Sequence, residues 1–336
     1  MNIVIASGGT LGHLTPILPV VEVLSQEHQV YLITTKKLEF NHKFKKIFYV
    51  DAIGRTKNIF QFIKKNLSAN SHIKKLFKEI KPDLIIGMGG YISGIVVRLA
   101  NKNKIKSIIH EQNSVLGLSN KLVVKNVDLL IHSYFNIDYK GKNKLYLPNP
   151  RIEESKYKSR LYKKKTKNIL ITSGTNGARS INEIGIALSN KLSDYNITLI
   201  TGRKYFEEFK KYKKSNLNII PFTKNLISFI SKADIVISRA GATSISEIIG
   251  SKTKAIYIPS PNVTNNHQTK NTSFVKNNNL GIVLLEEELS LNKIIDCIKQ
   301  LENNSDIYIN NLNKLSTNNI VNRYIKVINE VLNKNA

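Results

Sequence analysis

Seven short segments of this 336-residue chain bring together side chains that can move a proton or hold an anion. They are SGGTLGH (7–13), GMGGYISG (87–94), HEQNSVLGLSNK (110–121), NPR (149–151), SGTNGAR (173–179), SRAGATSISE (238–247) and NHQTKN (266–271). His13 closes the first segment. An imidazole with an ordinary pKa near 6.5 can take a proton from a hydroxyl at neutral pH, whereas a histidine that only braces its own loop would do nothing of the kind. His110, Glu111, Gln112 and Asn113 stand together at the end of an apolar run, where polar groups would line a cleft; His110 reads as structural. Thr243 and Ser244 open a helix with Glu247 one turn on. The backbone N–H groups of such a start favour an anion, while Ser244 and Glu247, three residues apart, also fit a capping box. Eleven of the 17 glycines lie in these segments, a concentration that points to close approach of backbone to a ligand.

Elements must hold these segments. Runs 2–6, 29–34, 83–87, 106–110 and 127–132 are short, apolar and β-branched, separated by helix-length stretches. That pattern describes parallel strands buried on both faces. It pauses over 144–167, a proline-containing then lysine-rich stretch, and restarts at 168–172, 196–201, 217–220, 233–238 and 254–259. The expected architecture is α/β: two doubly wound, Rossmann-like halves with ligands at the C-terminal ends of the strands. Residues 1–150 form the first half, 151–167 a linker and 168–316 the second half, and 317–336 make a helix that returns to the first half. The halves open alike, a strand running into a Gly-rich turn and then a helix from about Pro16 or Ala178.

Composition narrows the class. A hydrophobic fraction of 41% with 22% charged residues is ordinary for a globular chain, and the length suits two domains. The single cysteine, Cys297, excludes an intrachain disulfide and points to a reducing compartment. The first residues lack the basic region of a secretory signal, and the most apolar window, 84–100, falls short of a membrane span. The net charge of +27 rests mainly on lysine, with only 8 arginines among 51 basic residues. Each arginine therefore carries more information than a lysine, and Arg151, Arg179 and Arg239 all fall inside the segments above. No D-x-D pair exists, so no protein-held metal or other cofactor is expected.

In this order and spacing, the seven segments resemble the bacterial peptidoglycan N-acetylglucosaminyltransferases of glycosyltransferase family 28, over nearly the whole chain. HEQN followed by G-L-x-N-K, and GMGGY-x-S-G, carry most of the likeness. The resemblance implies a GT-B fold and transfer of GlcNAc from UDP-GlcNAc to the C4 hydroxyl of MurNAc in lipid I, with inversion, giving lipid II. The work would be done at the cytoplasmic face of the cell membrane. By the resemblance, donor contacts fall on Thr10, Leu11, Gly12, Asn113, Arg151, Thr175 and Thr223. They continue through Ala242, Thr243, Ser244, Ile245, Ser246, Glu247 and Gln268. Glu247 would accept the ribose hydroxyls, and Thr243 and Ser244 amides would hold the diphosphate. Gly89, Gly90, Tyr91 and Glu111 would lie on acceptor-side loops, with His13 as general base and Glu111 next in line. Leu11 stands where the family has a glycine, Ser173-Gly174-Thr175 replaces Gly-Gly-Ser, and Thr15 sits where an aromatic residue is common. Two other readings stay open: another GT-B lipid glycosyltransferase, such as one acting on diacylglycerol, and a basic nucleic-acid-binding protein. HEQN argues against the first; against the second stands the lack of any binding-fold signature or stacking aromatic array.

Between Lys36 and Lys81 the chain carries 13 basic and three acidic residues, a local net of +10. Ile59, Phe60, Phe62, Ile63, Leu67, Ile73, Leu76 and Phe77 recur there at helical spacing beside lysine pairs. An amphipathic helix of this kind could rest on anionic lipid; its plain alternative packs the apolar residues onto the sheet and turns the lysines to water.

Overall fold

The computed structural model describes residues 1–8, 11–35, 43–52, 59–134, 137–156 and 167–334, with backbone alone for Leu11 and residues 59–64. The chain divides into two units, residues 1–150 with 319–336, and residues 151–318.

Unit 1 is a seven-stranded sheet of order β3-β2-β1-β4-β5-β6-β7, parallel throughout. Its strands are β1 (Asn2–Ser7), β2 (Gln29–Thr34), β3 (Lys46–Tyr49), β4 (Leu84–Gly87), β5 (Lys106–Glu111), β6 (Leu129–His132) and β7 (Lys144–Tyr146). Ile3, Val4, Ile5 and Ala6 are wholly buried, which explains the unbroken apolar run: β1 is central and has helices on both faces. Each such Ile or Val contributes about 1.5–3 kcal/mol by leaving water. The helices are α1 (Leu11–Leu14), α2 (Leu18–Glu27), α3 (Ile59–Ile80), α4 (Tyr91–Lys102) and α5 (Leu118–Val123). A 3-10 turn (Thr15–Ile17) carries Pro16 between α1 and α2, so the helix expected from Pro16 starts in pieces.

Unit 2 repeats the plan with a six-stranded parallel sheet, order β10-β9-β8-β11-β12-β13. The strands are β8 (Asn168–Thr172), β9 (Asn196–Ile200), β10 (Leu217–Ile220), β11 (Ile235–Arg239), β12 (Lys254–Ile258) and β13 (Ile282–Val283). Its helices are α6 (Arg151–Lys156), α7 (Arg179–Lys191), α8 (Phe206–Phe209), α9 (Leu226–Lys232), α10 (Ala242–Gly250), α11 (His267–Asn277), α12 (Leu291–Asn303) and α13 (Ser305–Lys314). Separate apolar clusters cover the two faces of this sheet.

The ten expected strands are all present; β3, β7 and β13 are additional edge strands of two to four residues. The stretch read as linker needs correction at its start. Residues 151–156 form α6, which packs against α10 so tightly that a Cβ on Gly250 would meet the Ile152 carbonyl at 2.3 Å. The last helix, α14 (Ile320–Asn333), belongs to unit 1 and packs on α2. Its Tyr324 is fully buried, with the ring edge-on to His110 (centroids 5.8 Å apart) and the hydroxyl donating to the Leu147 carbonyl at 3.4 Å. Lys106 Nζ donates to the Leu332 carbonyl at 2.8 Å, placing a cation at the negative end of α14.

In both sheets the strand order reverses beside the first strand, between β1 and β4 and between β8 and β11. Such switch points are where open α/β sheets bind their ligands, beyond the C-terminal ends of the strands. The Gly-rich segments are the loops that leave these strands.

Candidate active site

In unit 1 the loops after β1 and β4 touch. Gly8 N–H donates to the Gly89 carbonyl at 3.0 Å, and a Cβ on Gly8 would stand 2.9 Å from Gly90 Cα. These glycines let two protein backbones meet, which corrects the expectation that they clear space for a ligand alone. Gly89, at φ +98°, does make room for a side chain: a Cβ there would lie 3.0 Å from His13 Nδ1. His13 is half-buried on α1, and its Nδ1 lies 2.7 Å from Nε2 of Gln112, the residue that follows β5. Elements distant in sequence thus fix one imidazole.

The HEQN segment is built around Glu111, which is buried. Its Oε1 accepts from the backbone N and Nδ2 of Asn113, each at 3.1 Å. Oε2 accepts from Gly117 N at 2.9 Å and Asn120 Nδ2 at 2.8 Å. Burial pushes the Glu111 carboxyl up, against the pull of these donors, every one of which favours the charged form. With both oxygens engaged, Glu111 shapes the loop that carries Gln112 and Asn113 and does not stand next in line as a base. His110 is buried with Nε2 3.1 Å from Ser133 Oγ; burial, and to a lesser degree the charge of His132, pulls its pKa down to about 3. It is a neutral structural residue, as the sequence suggests. Tyr91, half-buried at the start of α4, has its hydroxyl pushed up by burial.

In unit 2, Gly241 is the N-cap of α10, so Ala242, Thr243 and Ser244 present the first turn's N–H groups at the end of β11. The capping box does not form: no side chain caps this helix, and Glu247 is engaged by Arg151 instead. Arg151 Nε and Nη2 both donate to Glu247 Oε1, at 2.9 and 2.5 Å, and Nη1 pairs with Glu154. Burial works against the guanidinium's charge, but the two carboxylates prevail and raise its pKa. Of the remaining expected donor contacts, Ile245 is buried in the core and Ser246 Oγ back-bonds to the Ala242 carbonyl at 2.8 Å. The Ile245 N–H is likewise engaged, by the Gly241 carbonyl at 2.9 Å, so the donors for a ligand lie earlier in the turn.

Thr175 is exposed in the loop after β8, and Thr223 follows β10, its Oγ1 accepting from Asn225 N at 3.1 Å. Gln268, on the first turn of α11, is oriented by Ser260 N, which donates to its Oε1 at 2.9 Å. A cavity of about 490 Å³ opens among Ser173, Asn176, Arg179, Arg239, Ser260 and Gln268. Gly12 is exposed on α1 and Asn113 half-buried; Thr10 lies outside the described residues, and for Leu11 only the backbone is described. Among the described residues no group of three or more His, Cys, Asp or Glu could hold a metal ion.

Sequence reasoning missed Glu286. Arg239 Nη1 and Nη2 both pair with it, the latter at 3.0 Å, and Ser180 Oγ donates to it at 2.6 Å, tying the starts of α7 and of the 286–288 turn to β11. Burial pushes the Glu286 carboxyl up, but hydrogen bonds from Arg239 and Ser180, with the guanidinium's charge, outweigh it and hold the pKa low. The signal was present: an arginine where lysine is the default implies a planar, charged partner. Also missed were Leu118 and Leu122, 65% and 77% exposed on α5.

Two parallel-sheet units, each with Gly-rich loops at its switch point, give the chain the GT-B architecture. Residues 3–130 match the glycosyltransferase family 28 N-terminal domain and residues 168–326 the family 28 C-terminal domain, and the chain belongs to that family. It is 34% identical, over 90% of both chains, to the UDP-N-acetylglucosamine--N-acetylmuramyl-(pentapeptide) pyrophosphoryl-undecaprenol N-acetylglucosamine transferase of Lactobacillus helveticus. To the enzyme of the same name from Halalkalibacterium halodurans it is 32% identical, again over 90% of both. The crystal structure of Acinetobacter baumannii MurG shares the fold, with a TM-score of 0.75 at 23% identity over 98% of this chain and 99% of that one. CalG4, the calicheamicin glycosyltransferase, shares it at 0.72 and 12%, over 100% and 99%.

Proposed function

We propose that the chain transfers N-acetylglucosamine from UDP-N-acetylglucosamine to the C4 hydroxyl of N-acetylmuramate in undecaprenyl-pyrophosphoryl-linked lipid I. The observation that carries this reading is the match to relatives so named, over nine-tenths of both chains. As the C4 oxygen attacks the anomeric carbon from the face opposite the diphosphate, the C1–O bond to UDP breaks. UDP leaves with the electron pair, the configuration inverts, and His13 takes the hydroxyl proton. Unit 2 holds the donor: Glu247 accepts from the ribose, and the first turn of α10 faces the diphosphate with aligned N–H groups. No protein-held metal enters this scheme. Arg151 serves the donor through Glu247, whose carboxylate it aims with two hydrogen bonds to Oε1.

The lipid-linked acceptor places the enzyme at a membrane surface, on the cytoplasmic side where UDP-sugars are made. Among the described residues no helix is long and apolar enough to cross one. In α3, Ile73, Leu76 and Phe77 are buried in the unit 1 core, so the second half of that helix packs inward, as the plain alternative has it. The side chains of residues 59–64 lie outside what is described. Leu67, 64% exposed, and Leu118 and Leu122 on α5, with Lys121 and Lys125 exposed beside them, are the apolar and cationic groups available to anionic lipid.

The deciding experiment is transfer of labelled GlcNAc to a lipid I analogue, with UDP-GlcNAc set against UDP-GalNAc and UDP-glucose. A diacylglycerol acceptor runs in parallel, and preference for it would replace this reading with the other lipid glycosyltransferase.

A further inference from the structure

The cavity of about 490 Å³ in unit 2 falls within the size range of ligand pockets, about 300–1,000 Å³. Two arginines stand in its wall, and each is engaged by a carboxylate. Arg179 Nη1 and Nη2 pair with the two oxygens of Glu208, at 2.5 and 2.7 Å. Arg239 holds Glu286 in the same bidentate way. Both guanidinium charges in the wall are thus matched, so the cavity suits a neutral polyhydroxyl group better than an anion.

The other polar groups of the wall can donate as well as accept. Ser173 Oγ is shielded from solvent and has no hydrogen-bond partner. Gln268 accepts from Ser260 N through Oε1, leaving its NH2 as a donor, and Asn176 and Asn262 add two further amides. Hydroxyls and amides grouped around a fixed carboxylate match the donors and acceptors that a sugar ring presents.

Glu286 keeps an acceptor position open. Its Oε1 accepts from Arg239 Nη2 at 3.0 Å and from Ser180 Oγ at 2.6 Å, whereas Oε2 accepts from Arg239 Nη1 alone. A carboxylate oxygen takes two donors, so Oε2 can receive one more without releasing Arg239. The side chain is 26% exposed and lines the cavity. Its place along the donor fits too. Arg239 ends β11 two residues before Gly241 caps α10, so the cavity wall and the turn assigned to the diphosphate leave the same strand end. Of the expected donor contacts, only Gln268 lines the cavity.

We propose that this cavity takes the N-acetylhexosamine of the donor, and that Glu286 is a donor contact whose Oε2 accepts a hydrogen bond from a sugar hydroxyl. The proposal rests on UDP-GlcNAc being the donor.

The test is calorimetric binding of UDP and of UDP-GlcNAc to the full chain, in wild type, Glu286→Ala and Glu286→Gln. The readout is the ratio of the two Kd values, in which any effect shared by both ligands cancels. Glu286→Ala should raise the ratio of UDP-GlcNAc over UDP by about 10- to 100-fold, the worth of a hydrogen bond to a charged group. Glu286→Gln, which keeps the shape, should move it the same way by a smaller factor, and it decides the matter if the alanine variant does not fold. An unmoved ratio overturns the proposal. Both Kd values falling together would then mark an anion site at the freed Arg239, and both rising together would give Glu286 a role in the fold alone. Wild type that binds UDP but not UDP-GlcNAc removes the donor assignment itself, an outcome seen before any variant is made.

Discussion

Arg151 and Glu247 meet through two hydrogen bonds to one oxygen, Nε at 2.9 Å and Nη2 at 2.5 Å from Oε1, with only 10% and 5% of their side chains exposed. Breaking a buried pair from one side costs up to about 3–5 kcal/mol, and less here because Arg151 keeps Glu154. Glu247→Ala should therefore raise KM for UDP-GlcNAc and also lower the melting temperature of unit 2, leaving acceptor KM unchanged. Arg151→Lys, which keeps charge but loses the planar fork, should give the same donor defect in milder form. Steady-state kinetics with calorimetry checks both; an effect on acceptor KM alone would reverse the assignment of donor to unit 2.

Removal of the His13 imidazole tests the proton acceptor directly. His13→Ala should lower kcat by about 10²–10⁴ with little change in donor affinity. Near-normal turnover would assign the base elsewhere.

Glu111 offers a sharper structural test than its position in the motif suggests. All four groups around its carboxylate donate. Glu111→Gln puts an NH2 against two of them, so it should cost about 1–3 kcal/mol per unmatched donor and release the loop to Asn120. Hydrogen exchange at Gly117 should accelerate in the variant, and rapid exchange already in wild type would contradict the anchored loop.

His110 makes unit 1 sensitive to acid. Its folded pKa, about 3, lies below the ordinary 6.5, so the folded state resists the proton that the unfolded chain accepts. The contribution is intact above pH 6.5 and is lost as pH falls from there toward 3, at up to about 1.4 kcal/mol per pH unit. Denaturant titrations of wild type and His110→Asn between pH 7 and 5 should converge as pH drops. Parallel curves would mean that His110 is not buried as a neutral ring.

Liposome co-sedimentation examines the membrane face. Leu118→Ser with Leu122→Ser should weaken binding that survives high salt, whereas Lys64, Lys65, Lys74 and Lys75→Gln should weaken only the salt-sensitive part on anionic vesicles. Equal binding by wild type and both variants to neutral and anionic vesicles would exclude this surface.

The central strands and the motif loops were legible because burial on both faces demands apolar runs, and the turns beside them demand glycine. Edge strands β3, β7 and β13 were not. They are two to four residues long and mostly half-buried or exposed, so their sequences carry little pattern. The site was readable as a set of loops, but not as pairs. Arg151 with Glu247, and Arg239 with Glu286, are separated by 96 and 47 residues, and no local spacing reports such a contact. For Glu111, proximity to the motif suggested chemistry where the donors around it show architecture. For α3, helical period alone could not say which face meets the sheet; burial of Ile73, Leu76 and Phe77 decides it.

Because α14 completes unit 1 after the whole of unit 2, the two units cannot mature in the order in which they are made. When Pro150 leaves the ribosome, the pocket under β5 that receives Tyr324 has no tenant. It stays so while residues 151–318 are synthesised, roughly ten to thirty seconds at about 5–20 residues per second. Unit 2 is contiguous and can finish first. The older half waits for the youngest residues, so a chain cut short before Asn319 carries a complete unit 2 with an unfinished unit 1, a natural target for proteolysis.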